Sequence, residues 1–221
     1  MLRNWWWKLL GLLAIIYSII AGLTIQVPKL PVIYQTIRNL FFHVPLWFTM
    51  FVMFGTSLVY SIKYLNKLKP GDDVAASQSV NTGLFFGLLG LLTGMIWAKN
   101  TWGDYWTNDP QLNGAAVSIL AYLAYNVLRA SIDERALRAR VSAVYNIFSF
   151  MLLVIFLGVL PRLADSSLHP GKGGNSSAMA DLDPAMRLVF YPAVAGWIII
   201  GFWILEIRKR KRKLEMFLEQ S

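Results

Sequence analysis

Two side chains of this sequence are frequent ligands of transition metals, namely His43 and His169, the only histidines present. Two imidazoles from different segments can bind one metal from opposite sides. The sequence has no cysteine, which excludes thiolate ligands and disulfides. A zinc or copper site would therefore need oxygen ligands, and Asp104, Asp109 and Asp165 are the candidates. For either histidine alone, an ordinary hydrogen-bonded role is the alternative.

A dense aromatic group lies between the two histidines in the sequence. It consists of Trp97, Trp102, Tyr105 and Trp106, and Asp109 follows it. If this segment is helical, Trp102, Trp106 and Asp109 share one face. A platform of flat indole rings suits a porphyrin, so the aromatic group favours a haem over a bare metal ion. We expect non-covalent haem b, with its iron bound by both histidines.

Each of these residues also has an ordinary explanation. Tryptophan and tyrosine collect at membrane interfaces, which is the role we expect for Trp47 and for the three tryptophans at 5–7. Asp109 precedes a proline, as the N-cap residue of a helix often does.

If haem binds here, its propionates need cationic partners. Lys99, Arg38 and Arg162 are the expected ones.

The elements that position these residues are predicted to be membrane helices. The sequence is 56% hydrophobic with a mean hydropathy of +0.49. Its apolar residues form runs of roughly 17–22 residues, enough to cross a bilayer as helices. We therefore predict an all-α, integral membrane protein with a single domain over residues 1–221. Its six transmembrane helices are predicted at Leu9–Ile25, Phe41–Ile62, Asn81–Ala98, Pro110–Leu128, Val141–Leu160 and Leu188–Ile207.

The net charge of +9 is distributed asymmetrically over the connections between these spans. Most lysines and arginines lie before the first span, in 63–80 and 129–140, and in the tail. The positive-inside rule then places both termini in the cytoplasm and connections 26–40, 98–109 and 161–187 outside. All three unusual segments thus meet on the outer face. The basic residues are interpreted as anchors beside anionic lipid, and nucleic-acid binding is rejected.

Short signals predict how some helices begin. Asp109-Pro110 and Asp183-Pro184 predict two N-caps followed by proline in the first turn. Residues 31–42 place Ile33 and Ile37 on one face of a short helix lying in the interface. The first span lacks a small-residue cleavage site and is predicted to be retained.

Three motifs in this sequence resemble those of the haem-handling family of cytochrome c biogenesis that includes CcmC, CcmF and CcsA. The aromatic segment resembles the tryptophan-rich WWD signature, and the other two motifs resemble the histidine segments that flank it in the CcmC (haem exporter protein C) branch. They read Trp97-Ala-x-x-x-Trp102-Gly-x-Tyr105-Trp106-x-x-Asp109-Pro110, His43-Val-Pro45-Leu-Trp47 and Ser167-Leu-His169-Pro170. One departure is Asn108, where the usual signature has a further tryptophan, and a narrower haem platform is expected from it.

The resemblance implies a fold, a cargo and partners. It implies haem presented at the outer face of the cell inner membrane, held by His43 and His169 over the aromatic loop. It also implies delivery to a membrane-anchored periplasmic haem chaperone and association with the ATP-binding-cassette transporter subunits of the cytochrome c maturation system. The chain would then present haem without being an enzyme.

Three alternatives remain open at this point. The Asp-Pro and Tyr-Trp pairs lean towards the CcsA-type haem lyase subunit, which would attach haem covalently. A membrane subunit of a haem transporter would need a polar path through the spans. A purely structural membrane scaffold would function without its histidines.

Overall fold

The prediction of an all-helical chain is confirmed for the residues that this computed structural model describes, which are 5–28, 33, 35–164, 167–169 and 182–219. The long helices follow from the long apolar runs of the sequence. In chain order the elements are α1 (Trp6–Thr24), a 3-10 helix (Gln35–Phe41), α2 (His43–Lys67), α3 (Pro70–Trp102), α4 (Pro110–Ala130), α5 (Arg135–Leu153), a π-helix (Val154–Val159), α6 (Leu160–Leu163) and α7 (Pro184–Leu218).

Within the described ranges, five helical segments are long and apolar enough to cross a membrane, one fewer than predicted. They are Trp6–Thr24, Gln35–Lys67, Pro70–Trp102, Arg135–Leu163 and Pro184–Leu218. The predicted fourth span, 110–128, does form the 21-residue helix α4. It does not join the five because Gln111, Asn113 and Asn126 interrupt its apolar sequence. The prediction of six spans is therefore met for five of them.

The helices extend well beyond the predicted apolar runs. The expected connection 63–80 is mostly helical, because α2 continues to Lys67 and α3 already begins at Pro70. Proline in the first turn fixes a helical φ, and Asp72 and Asp73 complement the positive end of the helix dipole. Arg129 at the end of α4 donates two hydrogen bonds to Asp73, at 2.7 and 2.6 Å. This ion pair connects the end of α4 to the start of α3.

A row of glycines on α3 allows the antiparallel helix α2 to pack closely against it. Cβ atoms added at these glycines would lie 2.6 to 3.0 Å from side-chain atoms of α2. Each glycine faces a large side chain, so the row forms holes that α2 fills. The facing pairs are Gly83 with Phe54, Gly87 with Met50, Gly90 with Trp47, and Gly94 with His43. The row therefore places His43 against the last turns of α3.

The predicted short helix at 31–42 is present as a 3-10 helix at Gln35–Phe41. Its apolar side chains face inward as expected: Phe41 is buried, and Ile37 and Leu40 pack beside it against Leu182 and residues of α7. Residues 29–32 and 34 lie outside the described part of the chain. The 3-10 helix leads directly into His43, so it sets where α2 begins.

A π-helix at Val154–Val159 lies beside the start of α4. A Cβ added at Gly114 would overlap the carbonyl oxygen of Phe156, so only glycine permits this approach of two backbones. Irregular π segments are typical of functional regions, where they redirect a helix. Here the π-helix follows α5 and precedes Ser167 and His169 in the chain. Both residues contact Asp109, the N-cap residue of α4.

Candidate functional site

The aromatic segment divides into a helical part and a loop at Gly103. Gly103 has φ +93°, a left-handed conformation that suits glycine and ends α3. Trp97 and Trp102 therefore lie on α3, while Tyr105 and Trp106 lie in the loop and are 55% and 41% exposed. The expectation that Trp102, Trp106 and Asp109 share one helical face is wrong, because the helix ends before Trp106.

Asp109 is the most highly connected side chain of this region. It caps α4 as predicted, since its Oδ1 accepts hydrogen bonds from the backbone N–H groups of Gln111 and Leu112. Its Oδ2 accepts from the Ser167 hydroxyl and from the backbone N–H of Leu168, both at 2.7 Å. The N-cap explanation and the functional one are thus compatible, because one carboxylate holds both the helix and the segment that carries His169.

The same carboxylate holds His169. The Nδ1 of His169 lies 2.8 Å from Oδ1 of Asp109, and the aspartate side chain is only 1% exposed. Burial raises the pKa of Asp109, but hydrogen bonds from His169, Ser167 and Leu168 outweigh burial and hold this pKa well below its usual range. An ionised carboxylate only accepts hydrogen bonds, so Nδ1 of His169 carries a proton, and in the neutral imidazole the lone pair is then on Nε2.

Two tryptophans of α3 form the surroundings of the His169 ring. The ring centroid of His169 lies 5.1 Å from that of Trp102 and 6.3 Å from that of Trp97. The two indoles contact each other at 4.9 Å in an edge-to-face arrangement. Trp97 is held in addition by a 3.0 Å hydrogen bond from its Nε1 to the carbonyl of Thr36. The histidine thus lies against a rigid aromatic surface.

His43 lies at the first turn of α2 with both ring nitrogens in contact with partners. Its Nδ1 is 3.0 Å from Oγ1 of Thr93, and its Nε2 accepts a 3.1 Å hydrogen bond from the indole N–H of Trp47. Trp47, which is predicted to belong to an aromatic belt, makes this hydrogen bond to His43. It is half-buried and packs against Gly90 of α3. The tertiary structure therefore gives Trp47 a specific partner.

The end of α3 brings the two histidines to one place. Thr93, which contacts His43, and Trp97, which contacts His169, are one helical turn apart on α3. Beside them lies an open groove of about 340 Å³, whose lining includes Thr93, Trp97, Thr36 and Phe42. A flat ligand entering this groove would meet residues from the 3-10 helix and from α3.

The three cationic residues expected at the propionates lie in different surroundings. Arg38 donates to the carbonyl of Gly22 and to Gln35, and Lys99 donates to the carbonyl of Gly103 and lies over Tyr105. Arg162 is exposed. Lys99 is therefore beside the aromatic loop, whereas Arg38 holds the 3-10 helix against α1.

The donor set can be compared with what a bare metal ion or a haem requires. Within the described ranges, no three His, Asp or Glu side chains converge as a metal site would require. Asp165, one of the oxygen ligands considered, lies outside the described residues. In contrast, the His169 imidazole, whose Nε2 has no partner in the described part of the chain and whose ring lies beside two indoles, fits an iron within a flat apolar macrocycle. The buried hydroxyl of Thr107 also has no partner among the described residues.

Three residues of this site were not predicted from the sequence. Ser167 contacts Asp109, Thr93 contacts His43, and Trp47 contacts His43. Ser167 lies two residues before a histidine, and Trp47 lies four residues after one, which is the spacing of contacts on a helix. Thr93 has no such local signal, because its partner is on another helix.

The sequence of this chain matches the cytochrome C assembly protein family over residues 5–161. It is 35% identical to heme exporter protein C of Bradyrhizobium diazoefficiens over 113 residues, covering 51% of this chain and 43% of that protein. It is 26% identical to heme exporter protein C of Paracoccus denitrificans over 194 residues, covering 84% of this chain and 78% of that protein.

A second group of relatives has a different name. The chain is 32% identical to the cytochrome c biogenesis protein CcsA of Adiantum capillus-veneris, over 97 residues that cover 44% of this chain and 29% of that protein. The likeness to heme exporter protein C is more extensive. With five apolar helices and a family match over residues 5–161, this multi-pass membrane chain belongs to the cytochrome c assembly protein family.

Proposed function

We propose that this chain handles haem during cytochrome c biogenesis, holding non-covalent haem b at the outer face of the cell inner membrane and passing it on. The observation that carries the proposal is His169, whose Nδ1 is held by the Asp109 carboxylate and whose ring lies beside two indoles, while its Nε2 has no hydrogen-bond partner among the described residues. The names of its relatives, heme exporter protein C and cytochrome c biogenesis protein CcsA, concern the same cargo.

The Asp109–His169 pair has the arrangement expected of a metal-binding histidine. Ligating histidines commonly donate their second ring N–H to a carboxylate, which sets the tautomer, orients the ring and makes the ligating nitrogen more basic. Asp109 is itself held by four further donors, so the imidazole is preorganised. In this proposal His169 binds the iron, and Trp97 and Trp102, whose ring planes cross at 70°, contact the porphyrin.

His43 is the second proposed iron ligand, and the loop residues Tyr105 and Trp106 complete the binding surface. Their exposure leaves them accessible to the edge of a bound porphyrin. Lys99, beside Tyr105, is the best placed of the three cationic residues to pair with a propionate. Bound haem would supply a coordinating iron, and the chain supplies its position and surroundings.

The proposed topology has six spans, with α4 as the least apolar of them and both termini in the cytoplasm. This topology places α3's carboxyl end, the loop at 103–109 and His169 outside, where a periplasmic haem chaperone could receive the cargo. We propose ATP-binding-cassette transporter subunits of the cytochrome c maturation system as further partners. In this arrangement the chain presents haem and is not an enzyme.

Visible spectroscopy of the purified protein with added haem tests the proposal. We expect a low-spin spectrum from two imidazole ligands, and loss of the His169 ligand in His169→Gly, with recovery on adding free imidazole. His43→Gly should lose the other ligand. Trp203→Phe, near Trp5 and Lys8 at the opposite end of the molecule, serves as the control. Spectra that are the same in all variants would rule out both histidines as ligands.

A haem lyase activity is the second candidate, favoured by the similarity to CcsA. It predicts covalent attachment of haem to apocytochrome thiols when the periplasmic chaperone is absent. Reconstitution of this chain with haem and apocytochrome, followed by detection of haem on the denatured cytochrome, distinguishes the two functions. Covalent product would replace the presentation role with an enzymatic one.

A further inference from the structure

The nitrogen of His43 that would bind iron is already occupied by another side chain. The indole Nε1 of Trp47 lies 3.1 Å from Nε2 of His43. An indole N–H can only donate, so Nε2 is the acceptor and its lone pair points to Trp47. A metal binds an imidazole nitrogen at about 2 Å along that same lone pair. The two interactions therefore exclude each other.

The other ring nitrogen supports the same protonation state. Oγ1 of Thr93 has one proton, which it donates to the backbone carbonyls of Leu89 and Gly90 at 2.9 and 3.0 Å. At 3.0 Å from Nδ1 of His43, this oxygen must accept, so Nδ1 carries the proton. His43 is thus a neutral imidazole in the tautomer that a metal ligand needs, with Trp47 in the place of the metal.

Trp47 is held by packing on a neighbouring helix as well as by this hydrogen bond. It lies one turn after His43 on α2, and its ring crosses that of His43 at 75° with centroids 6.1 Å apart. A Cβ at Gly90 would lie 3.0 Å from the indole, so this glycine creates the space that the ring fills. The position of Trp47 is therefore a built feature of the α2–α3 interface.

The second candidate ligand is in a different state. Nε2 of His169 has no described partner, whereas its Nδ1 is held by Asp109. The two histidines therefore differ in the one property that matters for ligation: the lone pair of His169 is available and that of His43 is engaged.

We propose that Trp47 is a positioning residue that competes with haem iron for Nε2 of His43, so that haem is held first by His169 and gains its second ligand only when the indole moves aside. The inference rests on the proposed haem-handling function. It gives the site two ligation states separated by one hydrogen bond, which suits a protein that must hold its cargo and then release it.

Replacing Trp47 with phenylalanine tests the competition, because it removes the N–H donor and keeps an aromatic ring against Gly90. One intramolecular hydrogen bond corresponds to a change of about two- to ten-fold in an equilibrium constant. We therefore expect Trp47→Phe to bind ferric haem about two- to ten-fold more tightly and to increase the six-coordinate, low-spin fraction. Affinity for metal-free protoporphyrin should not change, because it offers no iron to His43.

Two controls separate competition from a general change of packing. In a His43→Ala background, Trp47→Phe should no longer alter haem affinity, as a double-mutant cycle requires when the effect passes through His43. Trp203→Phe should change neither haem nor protoporphyrin binding. Equal gains for haem and for metal-free protoporphyrin, or unchanged haem affinity and spin state in Trp47→Phe, would overturn the proposal.

A measurement on unliganded protein tests the same inference without any haem. His169→Ala leaves His43 as the only histidine, so its ring ¹⁵N shifts report one residue. We expect a protonated Nδ1 and an unprotonated, hydrogen-bonded Nε2, whereas a predominant Nε2–H tautomer would contradict the inference. Failure of the haem-handling function itself has a separate signature, namely the absence of histidine-dependent haem spectra in the wild type.

Discussion

At the scale of single residues, Asp109 links the end of one helix to a candidate ligand far away in the sequence. It caps α4 through Gln111 and Leu112 and holds His169 through its ring nitrogen. The cap is a local interaction, while the contact with His169 crosses sixty residues of chain. A substitution here therefore affects helix stability and ligand orientation together, because Oδ1 of Asp109 takes part in both interactions.

Asp109→Asn is expected to weaken haem binding about 10- to 100-fold, the usual range for mutating the partner of a metal-binding histidine. Asparagine retains an oxygen that can cap α4 and accept from His169, but this oxygen carries no negative charge, and the amide nitrogen in place of Oδ2 cannot accept from Ser167 and Leu168. Haem titration measures the loss, and circular dichroism checks that the helices remain. Ser167→Ala, which removes one donor to the same carboxylate, should show a smaller loss. Equal haem affinity in Asp109→Asn and wild type would refute the role of the carboxylate.

The lowered pKa of Asp109 gives a prediction for acid. Its carboxylate is stabilised in the folded chain relative to the ordinary value of 3.8, so its contribution to stability is complete above that pH. The contribution is lost as pH falls below 3.8 through the lower folded value. Thermal unfolding of wild type and Asp109→Asn should therefore differ by a constant amount above about pH 4 and converge in stronger acid. A difference that vanishes between pH 5 and 7 would contradict this assignment.

At the scale of elements, the glycine row on α3 determines where the side chains of α2 lie. Gly94 and Gly90 leave room for His43 and Trp47, and the same spacing continues down the interface to Phe54. Because close-packed interiors tolerate little added volume, a methyl group in this row must displace the facing side chain. The site is thus positioned by the fit between two helices as well as by its own hydrogen bonds.

Gly94→Ala is expected to reduce the His43-ligated fraction of bound haem. Its Cβ would lie 2.8 Å from Cε1 of His43, so the imidazole must move away from Thr93. The low-spin spectrum measures this loss, and ligation by His169 should be retained. Gly71→Ala is the matched control on the same helix, because nothing lies within 4 Å of the added carbon. An unchanged low-spin fraction in Gly94→Ala would show that the glycine row does not position the ligand.

Gly114→Ala tests the contact between α4 and the π-helix. The added carbon would overlap the backbone carbonyl of Phe156, which cannot rotate away as a side chain could. We expect destabilisation of about 1–3 kcal/mol, the usual cost of overpacking, measured as a lower unfolding temperature in detergent. Gly55→Ala, whose nearest neighbour would be 3.8 Å away, should be tolerated. Similar unfolding temperatures for both variants would show that α4 can shift without cost.

At the scale of the whole molecule, both ends of the helix bundle carry charge pairs and aromatic residues, but the residue types differ between the two ends. The end near the amino terminus holds Lys8, which pairs with Glu206 at 2.8 Å and lies over the rings of Trp7 and Trp203. The opposite end holds the histidines and the WWD-like segment. This separation agrees with the proposed topology, in which haem is handled on one side and basic residues anchor the other.

The absence of cysteine in the sequence makes the topology directly measurable. Single cysteines at Tyr105 and Asp133 lie at opposite ends of α4 and can be labelled with a membrane-impermeant maleimide. We expect Tyr105→Cys to react in intact spheroplasts and Asp133→Cys to react only after permeabilisation, because α4 crosses the membrane in the six-span topology. Lys69→Cys, between α2 and α3, should behave as Asp133→Cys does. Labelling of Tyr105→Cys and Asp133→Cys from the same side would mean that α4 does not cross.

Much of the fold could be predicted because its signals are local or depend on overall hydropathy. Five apolar spans, the short helix before His43 and the Asp-Pro starts of α4 and α7 all follow from neighbouring residues. The predicted fourth span forms the helix α4, but polar residues weaken its apolar run, so it is not among the five segments apolar enough to cross a membrane. The predicted boundaries were wrong where a helix continues beyond its apolar run, as at Pro70, because helix formation there depends on capping and charge pairing and not on hydropathy.

Residue types and their order show which side chains are available for chemistry: two histidines, the aromatic segment and an aspartate before proline. Their connections follow from the three-dimensional packing, because the contacts join residues that are far apart in the sequence. The pairing of Asp109 with His169 and of Thr93 with His43 depends on how closely helices approach, which small residues such as Gly94 and Gly114 control. The engagement of His43 by Trp47 depends on the same packing, since the space for the indole comes from Gly90 of another helix.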